Sequence, residues 1–308
     1  MGSPVVRSVT ASPLRLVREP LRVAFLGPRV WLDGCCPPLP THELMPARFE
    51  TSRAGDDGRT SAAVDAFRPH VSVILDPPSV PVEAVRKLPG VTLGVLVAGM
   101  LEGQAAWAAE TLDRLVSFDP TLTGERVGAS EIWRAIPPPV SDALYGEVRP
   151  LHHTPRAMSI GRSSAHRERM LMPAKHHHDL LQVIHGVTGE ALDELLREYD
   201  VGVYVAPEPG GEFGHQVGVH LATGHLLLSE ELIPAHGLER NIDYLEVESP
   251  DGLVWVLNRL GRFPEMYHAI RVRGRLKAEQ YRASRIFARV THDLLADVAA
   301  FGAAGARA

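Results

Sequence analysis

Tyr204-Val-Ala-Pro-Glu-Pro-Gly-Gly-Glu-Phe-Gly-His-Gln-Val-Gly-Val-His-Leu-Ala-Thr-Gly-His-Leu-Leu-Leu-Ser-Glu230 is the stretch whose reading decides the fold of this chain. An apolar run at 201–206 reads as a strand and enters a loop holding Pro207, Pro209, Gly210 and Gly211. A helix over 213–223 leaves the loop and closes at Gly224, and Leu226-Leu227-Leu228 begins the next strand. The strands are continuous apolar runs without period-2 alternation, the pattern of a parallel sheet covered on both faces. Glu212 stands at the lip of the loop, and Phe213, Gly214 and His215 open the helix. Backbone N–H groups at a glycine-bearing helix start attract anions, and a carboxylate beside them can accept hydrogen bonds from sugar or ribose hydroxyls. Gly210, Gly211 and Gly214 serve equally well as turn and packing glycines, so the residues alone leave both readings standing.

The same rhythm extends in both directions. Upstream, strands at 21–27, 71–75, 91–98 and 115–119 alternate with helices at 61–67, 81–88 and 101–114, with a Pro-rich loop at 35–40. The rhythm stops at Ala135-Ile136-Pro137-Pro138-Pro139-Val140-Ser141-Asp142, where three prolines remove donors and fix φ. It resumes with a strand at 156–161. The stretch 180–184 is a strand or a helical continuation of the histidine run before it, and a helix at 190–199 has Thr188 as N-cap. Beyond the opening segment come a strand at 244–247, a helix at 250–260 and an Arg-rich helical stretch at 264–300.

At ~150 residues per domain, 308 residues suggest two domains. The expected fold class is α/β: two Rossmann-like parallel-sheet domains facing a cleft, followed by a C-terminal helical segment. The boundaries read as a mobile tail at 1–20, an N-terminal domain at 21–136, a Pro-rich linker at 137–155, a C-terminal domain at 156–262 and terminal helices at 263–308. Lys and Arg number 32 against 37 Asp and Glu, a net charge of −5, which argues against a protein that grips phosphate backbones. The adjacent Cys35 and Cys36 are the two cysteines; they make neither a disulfide framework nor a zinc knuckle and suit a reducing compartment. No apolar run reaches the ~20 residues of a membrane span, and no unbroken apolar core marks the first twenty residues as a secretory signal. The cytoplasm is the expected location, and nothing in the sequence specifies an oligomer.

The 204–230 segment resembles the acidic motif of GT-B-type glycosyltransferases, glycosyltransferase group 1, nearest to the spore-coat-protein-like branch. Glu212 takes the place of the family's first Glu, and Phe213-Gly214 follows it. His220 stands eight residues on, where the family usually carries a second Glu, and Leu221-Ala222-Thr223-Gly224 and the strand to Glu230 complete the motif. Ser159-Ile160-Gly161-Arg162 resembles the opening strand of the family's donor domain, Ile136-Pro137-Pro138-Pro139-Val140 its hinge, and Asp251-Gly252-Leu253 the helix after its last strands. The donor domain reads as trimmed between residues 162 and 180.

The resemblance implies a sugar passed from a nucleotide-diphosphate donor to a small-molecule or glycan acceptor, with no cofactor and no metal. The donor would contact Gly161, Arg162, Ser163, His185, Phe213, Gly214, His215 and His220, with Glu212 on the sugar hydroxyls. Asp33, after the first strand, would act as base or orient the acceptor. The rival reading is a non-catalytic sugar- or nucleotide-binding protein of the same architecture, and a more distant one is another two-Rossmann enzyme such as a sugar epimerase.

Other residues invite chemistry less strongly. Arg162 suits a diphosphate because a planar guanidinium pairs bidentately with phosphate oxygens, whereas Arg167 and Arg169 read as surface arginines. The run His176-His177-His178 points in diverging directions on any regular element and lacks a completing ligand set. Asp76, after the second strand, is a weaker version of Asp33. Neither a G-x-G-x-x-G nor a G-x-S-x-G motif occurs. The terminal arginines alternate with Glu279, Asp293 and Asp297, which fits a solvated or domain-crossing helix.

Overall fold

The computed structural model describes residues 19–51, 59–77, 80, 82–96, 111–127, 130–152, 154–184, 187–210 and 213–302. The first domain comprises β1 (Leu21–Gly27), α1 (Arg29–Cys35), β2 (Leu44–Glu50), α2 (Arg59–Phe67), β3 (Val71–Leu75), α3 (Val82–Val85), β4 (Val91–Leu96), β5 (Arg114–Ser117), β6 (Arg126–Val127) and β7 (Ser130–Ala135). Its seven strands run in the order β2-β1-β3-β4-β5-β7-β6. Every pair is parallel except β6–β7. β3 is buried at all five positions, as an inner strand covered on both faces must be. Gly27, at the carboxyl end of β1, is required by close approach: an added Cβ would stand 2.7 Å from the Leu75 carbonyl oxygen.

The second domain comprises β8 (Ala157–Ile160), α4 (Ala165–His178), β9 (Leu181–Val183), α5 (Gly189–Arg197), β10 (Val201–Tyr204), α6 (His215–Ala222), β11 (Leu226–Ser229), β12 (Leu245–Glu246) and α7 (Pro250–Arg262). Its sheet is all parallel in the order β12-β11-β10-β8-β9. The chain therefore has the expected α/β architecture of two parallel-sheet domains with helices.

Three local readings differ. A helix, α1, fills the stretch after β1 to which no element was assigned, and ends at Cys35, where the expected Pro-rich loop begins. β2 and β7 were not expected, because LMPARFE and SEIWRA carry charges and, in β2, a proline that only an outer strand tolerates. The stretch that reads as trimmed holds α4, whose Arg- and His-rich sequence with Pro173 inside has almost no apolar stripe to betray it. The helix expected at 101–114 lies almost wholly outside the described residues.

The C-terminal helices α8 (His268–Lys277) and α9 (Ala283–Phe301) complete both domains. α8 lies against the second, where the buried Arg271 donates to the carbonyls of Gly224 and Arg149. α9 crosses back to the first. Phe287 meets Phe25 edge-on with ring centroids 4.8 Å apart, and Ile286, Val290 and Leu294 join the same core as β1, β3 and β4. Arg114 and Arg134 pair with Asp297 and Asp293 on α9.

Outgoing and returning chains meet at one point. Val140 N–H donates to the Tyr281 carbonyl at 2.7 Å, and Ala283 N–H to the Val140 carbonyl at 2.8 Å. Asp142 accepts from Ser284 N–H, from the Ser284 hydroxyl and from Arg282. The crossing is a fixed double strand rather than a loose tether.

Candidate functional site

The carboxyl ends of the two sheets face each other, because the loops and helix starts that follow them touch. α1, which follows β1, meets the start of α6, which follows β10: His215 Nε2 lies 3.2 Å from the Gly34 carbonyl, and the Trp31 and His215 rings meet edge-on at 5.9 Å. The Gly34 carbonyl also accepts from Ser141 N–H in the linker at 2.7 Å. Asp33, one residue earlier, lies against Gly189 at the start of α5, where an added Cβ would come within 3.1 Å of its Oδ2. Open α/β sheets bind ligands at such crevices.

Asp33 keeps little of its side chain exposed and is flanked by Arg29 and Arg48, each 3.4 Å away. His215 has its pKa pushed down to about 4: burial outweighs the carbonyls of Gly34 and Pro139, which favour the protonated ring. It is therefore neutral near pH 7 and pins the two domains where the linker passes. Phe213 is buried between His236 (4.8 Å between ring centroids) and Tyr281 (5.8 Å). Gly214 is the N-cap of α6 and supplies no side-chain cap; an added Cβ would stand 2.7 Å from the Tyr204 hydroxyl. The N-cap of α6 thus offers its first N–H groups no side-chain acceptor.

At the end of β8, Gly161 has φ 141°, and an added Cβ would collide with the Arg167 guanidinium. Arg167 is buried and donates to the carbonyls of Val205 (2.7 Å) and Arg162 (2.8 Å), so it ties the β8 turn to the end of β10. Sequence reading had it as a surface arginine. Arg162, next along, is exposed with no side-chain partner among the described residues. Ser163 is exposed and bonds Glu168, while Ser164 caps α4 and donates to the Pro207 carbonyl at 2.6 Å. The turn is rigid beneath and presents one uncommitted guanidinium above.

His220 is not in the crevice. It is 0% exposed, stacked on His225 and pressed over Gly202, where any Cβ would clash with its ring. His225 Nε2 lies 2.8 Å from the Leu196 carbonyl, so it carries the proton, leaving its Nδ1 as acceptor. His220 Nδ1, 3.1 Å away, must then donate, and its Nε2 is left buried without a partner. Both rings are neutral: burial pushes His225 down to about 4 and His220 well below the usual histidine range. The residue expected to contact the donor is a core residue in this structure, and α6 (HQVGVHLA) carries no carboxylate at all.

Two residues to which the sequence assigned no role pair at the carboxyl end of the second sheet. Glu230, at the carboxyl end of β11, accepts from Ala206 N–H at 3.3 Å and faces His166 Nε2 at 2.8 Å. The signal for Glu230 was its place directly after a strand; none marked His166, since α4 was not expected. Glu212 and His185 lie outside the described residues. Among the described residues no three His, Cys, Asp or Glu come together as metal ligands, and no helix is long and apolar enough to cross a membrane. The buried Cys35 and Cys36 thiols are pushed up by burial, which makes them poor nucleophiles.

No protein-family model and no curated protein matches the chain. Solved structures do. A glycosyltransferase from Rickettsia africae aligns with a TM-score of 0.55 at 9% identity, over 90% of this chain and 98% of that one. Anabaena HepE in complex with UDP-glucose gives 0.54 at 9%, over 90% and 100%. Sucrose-phosphate synthase from Thermosynechococcus elongatus gives 0.53 at 10%, over 91% and 99%. These matches spread across the group and do not single out the spore-coat-protein-like branch. With two parallel-sheet domains joined by a proline linker and a last helix returning to the first domain, the chain has the fold of the GT-B glycosyltransferases.

Proposed function

We propose that the protein is a glycosyltransferase that moves a sugar from a nucleoside-diphosphate donor to a small-molecule or glycan acceptor. The observation that carries this reading is the crevice itself: the Gly161–Arg162 turn and the uncapped start of α6 lie at the carboxyl ends of neighbouring strands β8 and β10. HepE, of the same fold, has been solved with UDP and with UDP-glucose. In this proposal Arg162, with Gly161 and Ser163, takes the diphosphate, and the first N–H groups of α6, at Gly214 and His215, complete the anion site. Glu212 lies on the sugar hydroxyls, and Asp33, on the opposite wall, orients or deprotonates the acceptor. Fixed cations and N–H dipoles aimed at the departing diphosphate supply the catalysis without a metal.

A second reading, a donor-binding protein without turnover, gains support from one observation: His220 is core, so no carboxylate on α6 is available for the ribose. Turnover separates the two. Sugar release measured over a panel of nucleotide sugars, with parent protein and Glu212→Gln, should show a fall of at least ~10²-fold in the variant, about 2.7 kcal/mol of barrier, with nucleoside diphosphate affinity nearly unchanged. Equal rates in both proteins would reject the role of Glu212, and no rate in the parent with intact binding would favour the second reading.

A further inference from the structure

A second cavity, of about 500 Å³, opens at the carboxyl end of β12 and the first turn of α7. β12 is the edge strand of the second sheet, three strand spacings from β8, which is roughly 14 Å. The cavity is therefore on the ligand side of the domain but displaced sideways from the crevice. Arg240, Asn241, Glu246, Glu248, Ser249 and Trp255 line it.

Two features give it a chemical identity. Trp255 is 58% exposed on a helix that buries Leu253, Val256, Leu257 and Leu260. Its indole is steadied from the next turn by Arg259, whose guanidinium lies 5.1 Å from the ring centroid and does not line the cavity. A rigid aromatic face at the rim suits a ligand with an apolar side. The polar groups are mixed and held in place. Arg240 Nη1 pairs with Glu246 Oε2 at 3.2 Å, Asn241 Oδ1 accepts from Glu246 N–H at 3.3 Å, and Ser249 caps α7 through Gly252 N–H at 3.1 Å.

Two carboxylates repel a phosphate, while Arg240 opposes a bare metal cation. Donors and acceptors interleaved around one aromatic ring match an uncharged polyol, whose hydroxyls do both and whose ring C–H face is apolar. From this arrangement we infer that the cavity is a carbohydrate-binding site, taking a pyranose unit of a neutral glycan against Trp255. The site goes beyond the donor crevice and does not depend on sugar transfer occurring there.

Saturation-transfer NMR and calorimetry on the full chain test it, with neutral tetrasaccharides of glucose, mannose and N-acetylglucosamine as probes, each with and without saturating UDP. The expected result is saturation of the ring protons of at least one tetrasaccharide, with an affinity that UDP changes by less than about twofold. Trp255→Ala should weaken it roughly tenfold or more while melting close to the parent, since the side chain is largely exposed. Asn241→Ala is the second variant, and should weaken binding through a polar contact should Trp255→Ala fold poorly. Binding to none of the three probes overturns the proposal, as does binding that survives both substitutions. Competition by UDP would assign the glycan to the crevice instead, and Trp255-dependent binding to phosphatidylserine vesicles in place of glycan would make the surface a membrane contact. A melting shift with UDP reports on the crevice alone, so the two readings fail separately.

Discussion

Replacing His220 by Glu restores the residue type that the resembled motif carries eight positions after its first Glu, and the structure predicts that the change is harmful. His220 is fully buried, its Nδ1 donates to His225, and its ring fills the space over Gly202. A carboxyl group there finds no cation among the groups that touch His220, loses the hydrogen bond to His225 unless it takes up a proton, and meets a backbone too close to relax away. Burying such a group costs about 3 kcal/mol or more. For a domain of this size each kcal/mol is worth roughly 2–4 °C in melting temperature, so His220→Glu should melt at least ~6 °C lower. Its pH dependence has a fixed sign. Burial raises the carboxyl pKa in the folded state, so the penalty is smallest in acid and grows by about 1.4 kcal/mol per pH unit as pH rises above ~4.3, until the folded value is reached. Thermal unfolding followed by tryptophan fluorescence at about pH 5 and about pH 8 measures both effects, and a UDP titration on the same samples measures affinity. A variant that melts with the parent and binds UDP more tightly would refute the placement of His220 and return it to the crevice.

The folded-state pKa values of His220 and His225 are depressed by burial, so their contribution is intact above the unfolded value near 6.5 and is lost as pH falls below it, for His225 down to about 4. Urea unfolding should show this as about 1.4 kcal/mol per pH unit per ring. His225→Gln, which still reaches the Leu196 carbonyl, should flatten that slope, and an unchanged slope would contradict the neutral pair. Arg162→Ala should weaken binding of the donor's nucleoside diphosphate by roughly 1.5–3 kcal/mol and leave the melting temperature alone, because Arg162 is exposed and has no side-chain hydrogen bond or ion pair among the described residues; equal affinity by calorimetry would remove it from the donor site. Arg167→Met should instead cost stability, about 2–4 kcal/mol, since it strips the Val205 and Arg162 carbonyls of their buried donors. UDP affinity should survive EDTA, and a loss restored by Mg²⁺ would require a metal that the proposal leaves out.

The fold was legible where burial on both faces writes itself as an apolar run. β1, β3 and β11 could be read because an inner parallel strand, covered on both faces, is mostly apolar along its length. β2, β7 and α4 escaped because charge-bearing strands towards the ends of the sheet and a helix rich in Arg and His carry little periodic signal, and their structure is dictated by neighbours that local sequence does not reveal. The site was legible at its backbone: Gly161, Gly214 and the proline linker mark turns that only those residues make easily. It was less legible at its side chains. Arg162 and Arg167 look alike in sequence, and only the packing over Gly161 separates the exposed guanidinium from the buried one. His220 followed from motif spacing, which fixes position along the helix but not which way the helix faces. A lone Gly202 on the adjacent strand was the one sign that something large lies against it.

The central claim is that a nucleoside diphosphate binds the crevice between the two sheets, and a melting-shift titration tests it most directly. With UDP, GDP, ADP and their sugar conjugates offered in turn, at least one should raise the melting temperature. At a ligand concentration of about 100 times Kd the gain is ~2.7 kcal/mol, roughly 5–10 °C for a domain of this size, and Arg162→Ala should shift the titration to higher concentration. No shift with any of them at millimolar concentration, or a shift that Arg162→Ala leaves untouched, would contradict the account.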